Sequence, residues 1–289
     1  MKDRNLHTDQ TVHTDQTVHT DQAWNELYSR LEQDNLIPAR GQKRLMRPVF
    51  AGMAAAIAVL CLCGALGIWL LNDWGTDERL LSLKNGPEDN TLVTTLEDGS
   101  IIYLAQDATL SYPEHFEADK RLVKLDGNAL FDVSGNKQRP FLIETKYTTI
   151  EVVGTAFNVK NNGKNDFELS VQRGLVKVTR LDNGESSFVK AGETVILNKN
   201  LFLKSPTSDM DQFARYTERI QFKDETLANI VRVINRMSSQ PVQLSSSELE
   251  KRRLTVSFYD NSPAAMTELI CLALGLTSEQ KEDTLVISA

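Results

Sequence analysis

The chain has 289 residues, 32 Lys and Arg against 39 Asp and Glu, and a formal net charge of −7 at pH 7. This acidic balance argues against nucleic acid as the main partner, because binding to a phosphate backbone calls for a surplus of basic residues. The length predicts more than one folded unit.

The first predicted element is a tail, residues 1–48, which carries the six-residue repeat HTDQTV over residues 7–22. The repeat has almost no apolar residue, so burial cannot offset the entropy of ordering, and we expect disorder. Its histidines, His7, His13 and His19, are six residues apart. Six residues turn a helix through about 600°, so these side chains would not share a face, and no metal site is predicted.

Residues 23–34 are predicted to form an amphipathic helix. Trp24, Leu27, Tyr28 and Leu31 recur at i, i+3, i+4 and i+7, so they share one helix face. A lone helix of this length is marginal in water, and its apolar face must lie on the membrane surface, on a second copy or on a partner protein. The charged residues around it are mostly acidic, which disfavours the membrane surface and favours the groove of a partner.

Residues 49–71 contain no charged side chain and are predicted to cross a membrane. A helix of this length spans about 35 Å, against roughly 30 Å for the hydrocarbon core. Four basic residues precede the segment and acidic residues follow it, which predicts a cytoplasmic amino terminus and residues 72–289 outside. The long polar leader disfavours a cleaved signal peptide. The exported part has a single cysteine, Cys271, so it can form no intrachain disulfide; this fits a bacterial periplasm, with the span in the inner membrane.

Residues 80–200 are predicted to form an all-β antiparallel sandwich or barrel-like domain. Apolar and polar residues alternate, as at Phe167, Leu169 and Val171, and turn signals recur about every ten residues. The dipeptides Asp98-Gly99 and Asn183-Gly184 favour the positive φ values of tight hairpin turns.

Five stretches of this domain resemble the FecR-like anti-sigma factor family: LEDGSIIYL (96–104), VKLDGNALFDV (123–133), RPFLIET (139–145), VVGTAFNV (152–159) and QRGLVKV (172–178). The residues that match the family motif are Asp98, Gly99, Arg139, Pro140, Phe141, Gly154, Thr155, Phe157 and Asn158. Asn128 stands where the family usually has Glu. The resemblance implies a single-pass regulator of an extracytoplasmic-function sigma factor, paired with a TonB-dependent outer-membrane transducer. We expect most of the motif residues to serve the fold.

Residues 201–218 are predicted to be a linker, and residues 219–289 a small α+β domain with the order βαβ-βαβ. Asp224 is predicted to cap its first helix, and Ser262, Pro263 and Gly275 are predicted to bound its second. The domain is similar to the signalling domains of TonB-dependent transducers and secretins. A small sheet has edges that either accept a partner strand or are covered by loops. The strand with Leu254, Val256 and Phe258 is the predicted transducer-binding element.

No catalytic, cofactor or metal site is predicted, since the exported part has one histidine, His115, and the S-x-x-K spelling at Ser134–Lys137 lies at a Gly-Asn turn. The predicted function is a transmembrane anti-sigma factor that relays a signal from the transducer to the sigma factor bound by residues 23–34. Two alternatives are a membrane-anchored structural component of an envelope secretion assembly and a periplasmic glycan-binding module. The second is disfavoured because the exported part is poor in aromatic residues.

Overall fold

The computed structural model describes residues 25–27, 29–31, 33–34, 80–161, 167–198, 201–259 and 262–289. The chain divides into two compact units, residues 1–75 and 76–289. The repeat at 7–22 and the predicted membrane span at 49–71 lie outside the described residues. Among the residues that are described, no helix is long and apolar enough to cross a membrane.

In the first unit, residues 25–27, 29–31 and 33 are helical. The Leu27 side chain is exposed and Leu31 is half-buried, while Trp24 and Tyr28 lie outside the described residues. The described helical residues lie within the helix predicted over 23–34, and its full extent and its apolar face remain predictions.

The second unit opens with a β-sandwich. Its strands are β1 (Leu80–Lys84), β2 (Thr91–Thr95), β3 (Ile101–Leu104), β4 (Thr109–Pro113), β5 (Arg121–Asp126), β6 (Ala129–Asp132), β7 (Phe141–Glu144), β8 (Thr148–Val152), β9 (Ala156–Asn161), β10 (Phe167–Arg173), β11 (Leu175–Arg180), β12 (Ser186–Lys190), β13 (Glu193–Leu197) and β14 (Phe202–Pro206). Side chains alternate between core and surface, as the period of two predicts. Within the core, Phe131 stacks on Phe157 with ring centroids 5.3 Å apart, and Phe141 meets Phe131 edge-on at 6.4 Å.

A small α+β module follows the sandwich. Its elements are α1 (Arg215–Glu218), β15 (Arg219–Thr226), α2 (Leu227–Met237), β16 (Val242–Leu244), α3 (Ser247–Lys251), β17 (Arg253–Tyr259), α4 (Pro263–Leu274), β18 (Thr277–Lys281) and β19 (Thr284–Ser288). Ser262 caps α4, Pro263 starts it and Gly275 ends it in the left-handed conformation, as predicted. The prediction for α2 is wrong by two residues, because its cap is Thr226, whose hydroxyl accepts from the Asn229 amide.

Three sheets organise the second unit. One has the order β1-β4-β5-β7-β8-β11-β12, one has the order β14-β13-β10-β9-β6-β3-β2-β15-β17, and a three-stranded sheet has the order β16-β19-β18. Neighbouring strands of the sandwich are antiparallel except β5 and β7, which are parallel. The predicted β-sandwich is confirmed.

The sandwich and the α+β module share the nine-stranded sheet. Strand β15 pairs in parallel with β2, and the Cα partners are Ile220 with Thr91 and Gln221 with Leu92. The segment predicted as a linker, 201–218, holds β14 and α1, and its Gln212 and Phe213 are buried. The two predicted exported domains are therefore joined by a continuous sheet rather than by a free hinge.

Candidate functional site

A buried ion pair joins the motif residue Asp98 to Arg121. Arg121, at the start of β5, is 1% exposed, and its Nη1 donates to Asp98 Oδ2 at 2.6 Å and to the Ser134 carbonyl at 2.8 Å. Its Nε donates to the Arg139 carbonyl at 2.8 Å, and its guanidinium lies 5.3 Å from the centre of the Phe141 ring. One side chain thus holds the turn after β2, the start of β5 and the loop 134–139 together.

The aspartate of this pair also closes its own turn. Asp98 Oδ1 accepts from the Ser100 amide at 2.9 Å and Oδ2 accepts from the Ser100 hydroxyl at 2.7 Å, while Gly99 has φ +79°. Arg139 donates from Nε and Nη2 to the carbonyls of Glu117 and Phe116, at 2.6 and 2.7 Å. These motif residues are positioned to fix loops at one end of the sandwich.

A second charged contact lies at the surface of the same end. Glu97 accepts from the Phe116 amide at 2.6 Å and lies 2.8 Å from His115 Nδ1. The hydrogen bond and the charge of Glu97 raise the pKa of His115 above 6.5. Partial burial opposes ionisation of Glu97, but the Phe116 amide and His115 outweigh it and lower the pKa of Glu97.

The contact between His115 and Glu97 is expected to depend on pH. A folded pKa above the unfolded value means that the histidine stabilises the fold below pH 6.5, and that this contribution is lost as the pH rises through the raised pKa. An NMR titration of the His115 ring should give a pKa above 6.5, and Glu97→Gln should return it towards 6.5. Equal pKa values in the two proteins would contradict the contact.

The VVGTAFNV stretch brings two backbone segments into direct contact. A Cβ on Gly154 would lie 2.7 Å from Gly135 Cα, and a Cβ on Gly174 would lie 2.5 Å from Thr155 Cγ2. These distances are shorter than a carbon–carbon contact allows. Gly154 is therefore needed for the approach of the loop at 134–136, whose Asn136 amide donates to the Val153 carbonyl at 2.7 Å.

Replacing Gly154 with Ala is expected to lower the free energy of unfolding of residues 76–289 by about 2–3 kcal/mol, because backbone on both sides must move. A urea titration measures the loss. Gly184 is the matched control, although it has φ +72°, since a Cβ there meets nothing within 4 Å. Gly184→Ala should cost about 1 kcal/mol from backbone strain alone. If Gly154→Ala lowers the free energy of unfolding no more than Gly184→Ala does, the close approach of Gly154 to Gly135 is contradicted.

Asn158 connects the sandwich to the segment before α1. Its neighbour Phe157 faces the sandwich core, so Asn158 lies on the opposite face of the nine-stranded sheet, opposite Leu130 in register. Its Nδ2 donates to Gln212 Oε1 at 2.9 Å, and Gln212 Nε2 donates to the Asp209 carbonyl at 2.7 Å. This motif residue therefore holds the 209–218 segment against the sheet.

A second buried amide cluster lies where β2 meets β15. Asn85 is fully buried and donates from Nδ2 to the carbonyls of Asn90 and Leu104, at 2.8 and 3.1 Å. Gln221 Nε2 donates to Asn85 Oδ1 at 3.1 Å. The sequence does not predict this contact, since Asn85 and Gln221 are 136 residues apart.

Asn128, the one departure from the family motif, has a local structural role. It directly precedes β6, and its Oδ1 accepts from the Asn161 amide at 2.8 Å. The side chain thus bridges the start of β6 to the end of β9.

Strand β17 is an outer strand of the nine-stranded sheet. Leu254 and Val256 are half-buried, and Phe258 is fully buried with its ring 6.2 Å from Phe222. Phe258 therefore belongs to the core and offers no surface to a partner, which corrects its predicted role as a contact residue. Ser257 and Tyr259 are exposed along the strand, and among the strands that the structure describes β17 pairs with β15 alone.

The described residues define a β-sandwich continued by an α+β module, and no cluster of three or more His, Cys, Asp or Glu within them could hold a metal ion. Residues 87–177 match the family model of the FecR protein, a range that includes all nine motif residues. The resemblance to the FecR-like family is thus confirmed over residues 87–177, which we call the FecR domain.

The chain is also similar to solved structures. Two crystal structures of a candidate anti-sigma factor from Parabacteroides distasonis ATCC 8503 are 22% and 23% identical to it, each with a TM-score of 0.45. In both cases the match covers 72% of this chain and 98% of the other. A search of the curated proteins gave no match.

Proposed function

We propose that the chain is a single-pass anti-sigma factor of a bacterial inner membrane. Residues 1–48 lie in the cytoplasm, residues 49–71 cross the membrane and residues 72–289 lie in the periplasm. The observation that carries the proposal is the FecR domain at 87–177. It stands after an uncharged stretch of twenty-three residues with basic residues before it, which supports this orientation.

In the cytoplasm, the helical segment around residues 25–33 binds an extracytoplasmic-function sigma factor. The exposure of Leu27 and the partial exposure of Leu31 support this, because both apolar side chains are available to a groove. Bound in this way, the sigma factor is held at the membrane.

In the periplasm, the α+β module receives the signalling domain of a TonB-dependent outer-membrane transducer. Strand β17 is the proposed contact, by addition of a partner strand at this end of the described nine-stranded sheet. Because β17 and β15 belong to the sheet that contains β6 and β9, a strand added there would extend the sheet of the FecR domain itself.

Replacing the exposed Ser257 of β17 with Lys is expected to weaken binding of the transducer's signalling domain at least about tenfold, since a charged side chain on an edge strand opposes strand addition. The signalling domain is taken from a TonB-dependent transducer of the same genome, and calorimetry with the full-length protein measures the affinity. Ser278→Lys is the matched control, because Ser278 is exposed on β18, an outer strand of the three-stranded sheet.

Two outcomes would contradict the proposed contact. Binding lost with Ser278→Lys and kept with Ser257→Lys would place the contact on the three-stranded sheet. Equal affinity of all three proteins would mean that neither outer strand takes part.

A further inference from the structure

A cavity of about 550 Å³ lies between the nine-stranded sheet, the segment 210–217 and the end of α2. On the sheet side it is lined by Tyr103 of β3 and Leu130 of β6, and the segment contributes Phe213. These three side chains are buried and make its apolar wall. A volume of this size fits a small organic molecule.

The charged side chains that line this cavity, among the described residues, are Asp132, Arg173 and Arg236. Arg173 Nη2 lies 2.9 Å from Asp132 Oδ1, and Arg236 Nε lies 3.4 Å from Asp132 Oδ2. Two guanidinium groups thus face one carboxylate, so one positive charge is left over in a chain that is acidic as a whole. Each guanidinium has five N–H donors, so donors remain for a second carboxylate.

Burial also keeps Tyr103, on the sheet side of the cavity, uncharged. It raises the pKa of Tyr103 far above its usual value of 10, and the nearby Asp132 acts in the same direction. The tyrosine hydroxyl is therefore a neutral hydrogen-bonding group in the electrostatic field of Asp132 and Arg236.

We propose that this cavity binds a small amphipathic carboxylate. The carboxylate lies between Arg173 and Arg236, and an alkyl or aromatic body packs against Tyr103, Leu130 and Phe213. The ligand would touch the sandwich, the 210–217 segment and α2 together, so its binding would stabilise the junction of the two modules. This site is independent of the sigma-factor and transducer contacts proposed above.

The test uses the full-length protein in lipid nanodiscs, with empty nanodiscs as the blank. The probes are 4-phenylbutyrate and octanoate, with 4-phenylbutanamide as the neutral comparison, and ligand-detected NMR gives the affinities. Arg236→Gln is expected to weaken binding of the acids at least about tenfold through loss of a charge-assisted hydrogen bond. Ala214→Phe, at an exposed residue of the cavity wall, should abolish binding by filling the space.

Arg232→Gln is the matched control, because Arg232 lies one turn earlier on α2, is exposed and donates to Asn229. It should leave the affinity within about twofold of the unchanged protein. Binding of either acid that falls with Arg236→Gln and not with Arg232→Gln would support the site. Failure of both acids to bind, equal losses in the two arginine variants, or equally tight binding of the amide would overturn it.

Discussion

Replacing Asp98 with Ala is expected to lower the free energy of unfolding of residues 76–289 by about 3–5 kcal/mol, because it leaves the buried Arg121 charge without its partner. Arg121 is 1% exposed, and Asp98 is its one ion-pair partner among the described residues. A urea titration measures the change, which should move the midpoint without changing the slope.

A surface pair provides the control for this variant. Lys177 and Glu151 lie 3.5 Å apart on the sheet formed by β8 and β11, and both side chains are well exposed. Glu151→Ala should cost only about 0–1 kcal/mol, since solvent screens such pairs. The double change Asp98→Ala with Arg121→Met should recover part of the loss by removing the unpaired charge. A loss for Asp98→Ala no larger than that for Glu151→Ala would contradict the buried pair.

The features predicted from the sequence are those that local physics specifies. Alternation predicts the sandwich, and Ser262, Pro263 and Gly275 predict both ends of α4, since capping and helix termination depend on a few neighbouring residues. The turn at Asp98-Gly99 is also predicted correctly, because a tight turn depends on the residues that form it. Thr226, rather than Asp224, caps α2 because Asp224 has φ +48° at an irregularity in β15 and does not lead directly into the helix.

The features that the sequence does not predict depend on distant partners. The pairing of β2 with β15 joins residues about 130 positions apart in the sequence. No local pattern around Gln221 predicts its hydrogen bond to Asn85, because the two residues meet only in the folded chain. The sequence does not single out Arg121, because arginine is rarely fully buried. Strand β18 is exposed at every position, so it has no apolar alternation to signal a strand.

The shared sheet changes what residues 76–289 can do. A free linker would isolate the α+β module from the FecR domain. The structure instead places Asn158 of the family motif against Gln212, and Asp132 of β6 against Arg236 of α2. A partner bound to the module therefore acts on the same sheet that holds the VVGTAFNV stretch.

The double change Trp24→Ala with Leu27→Ala is expected to weaken capture of the sigma factor at least about a hundredfold. Large apolar anchors at the centre of an interface contribute about 2 kcal/mol or more each when truncated. The control is Glu26→Ala with Gln33→Ala, which changes two exposed residues on the opposite face of the same helix.

Co-purification of the full-length chain with the extracytoplasmic-function sigma factors of the same genome, expressed together with it one at a time and measured by quantitative mass spectrometry, tests the anti-sigma role most directly. The account predicts near-stoichiometric sigma factor with the unchanged protein and with the control, and almost none with Trp24→Ala and Leu27→Ala. Sigma factor absent from the unchanged protein, or retained equally by both variants, would contradict it.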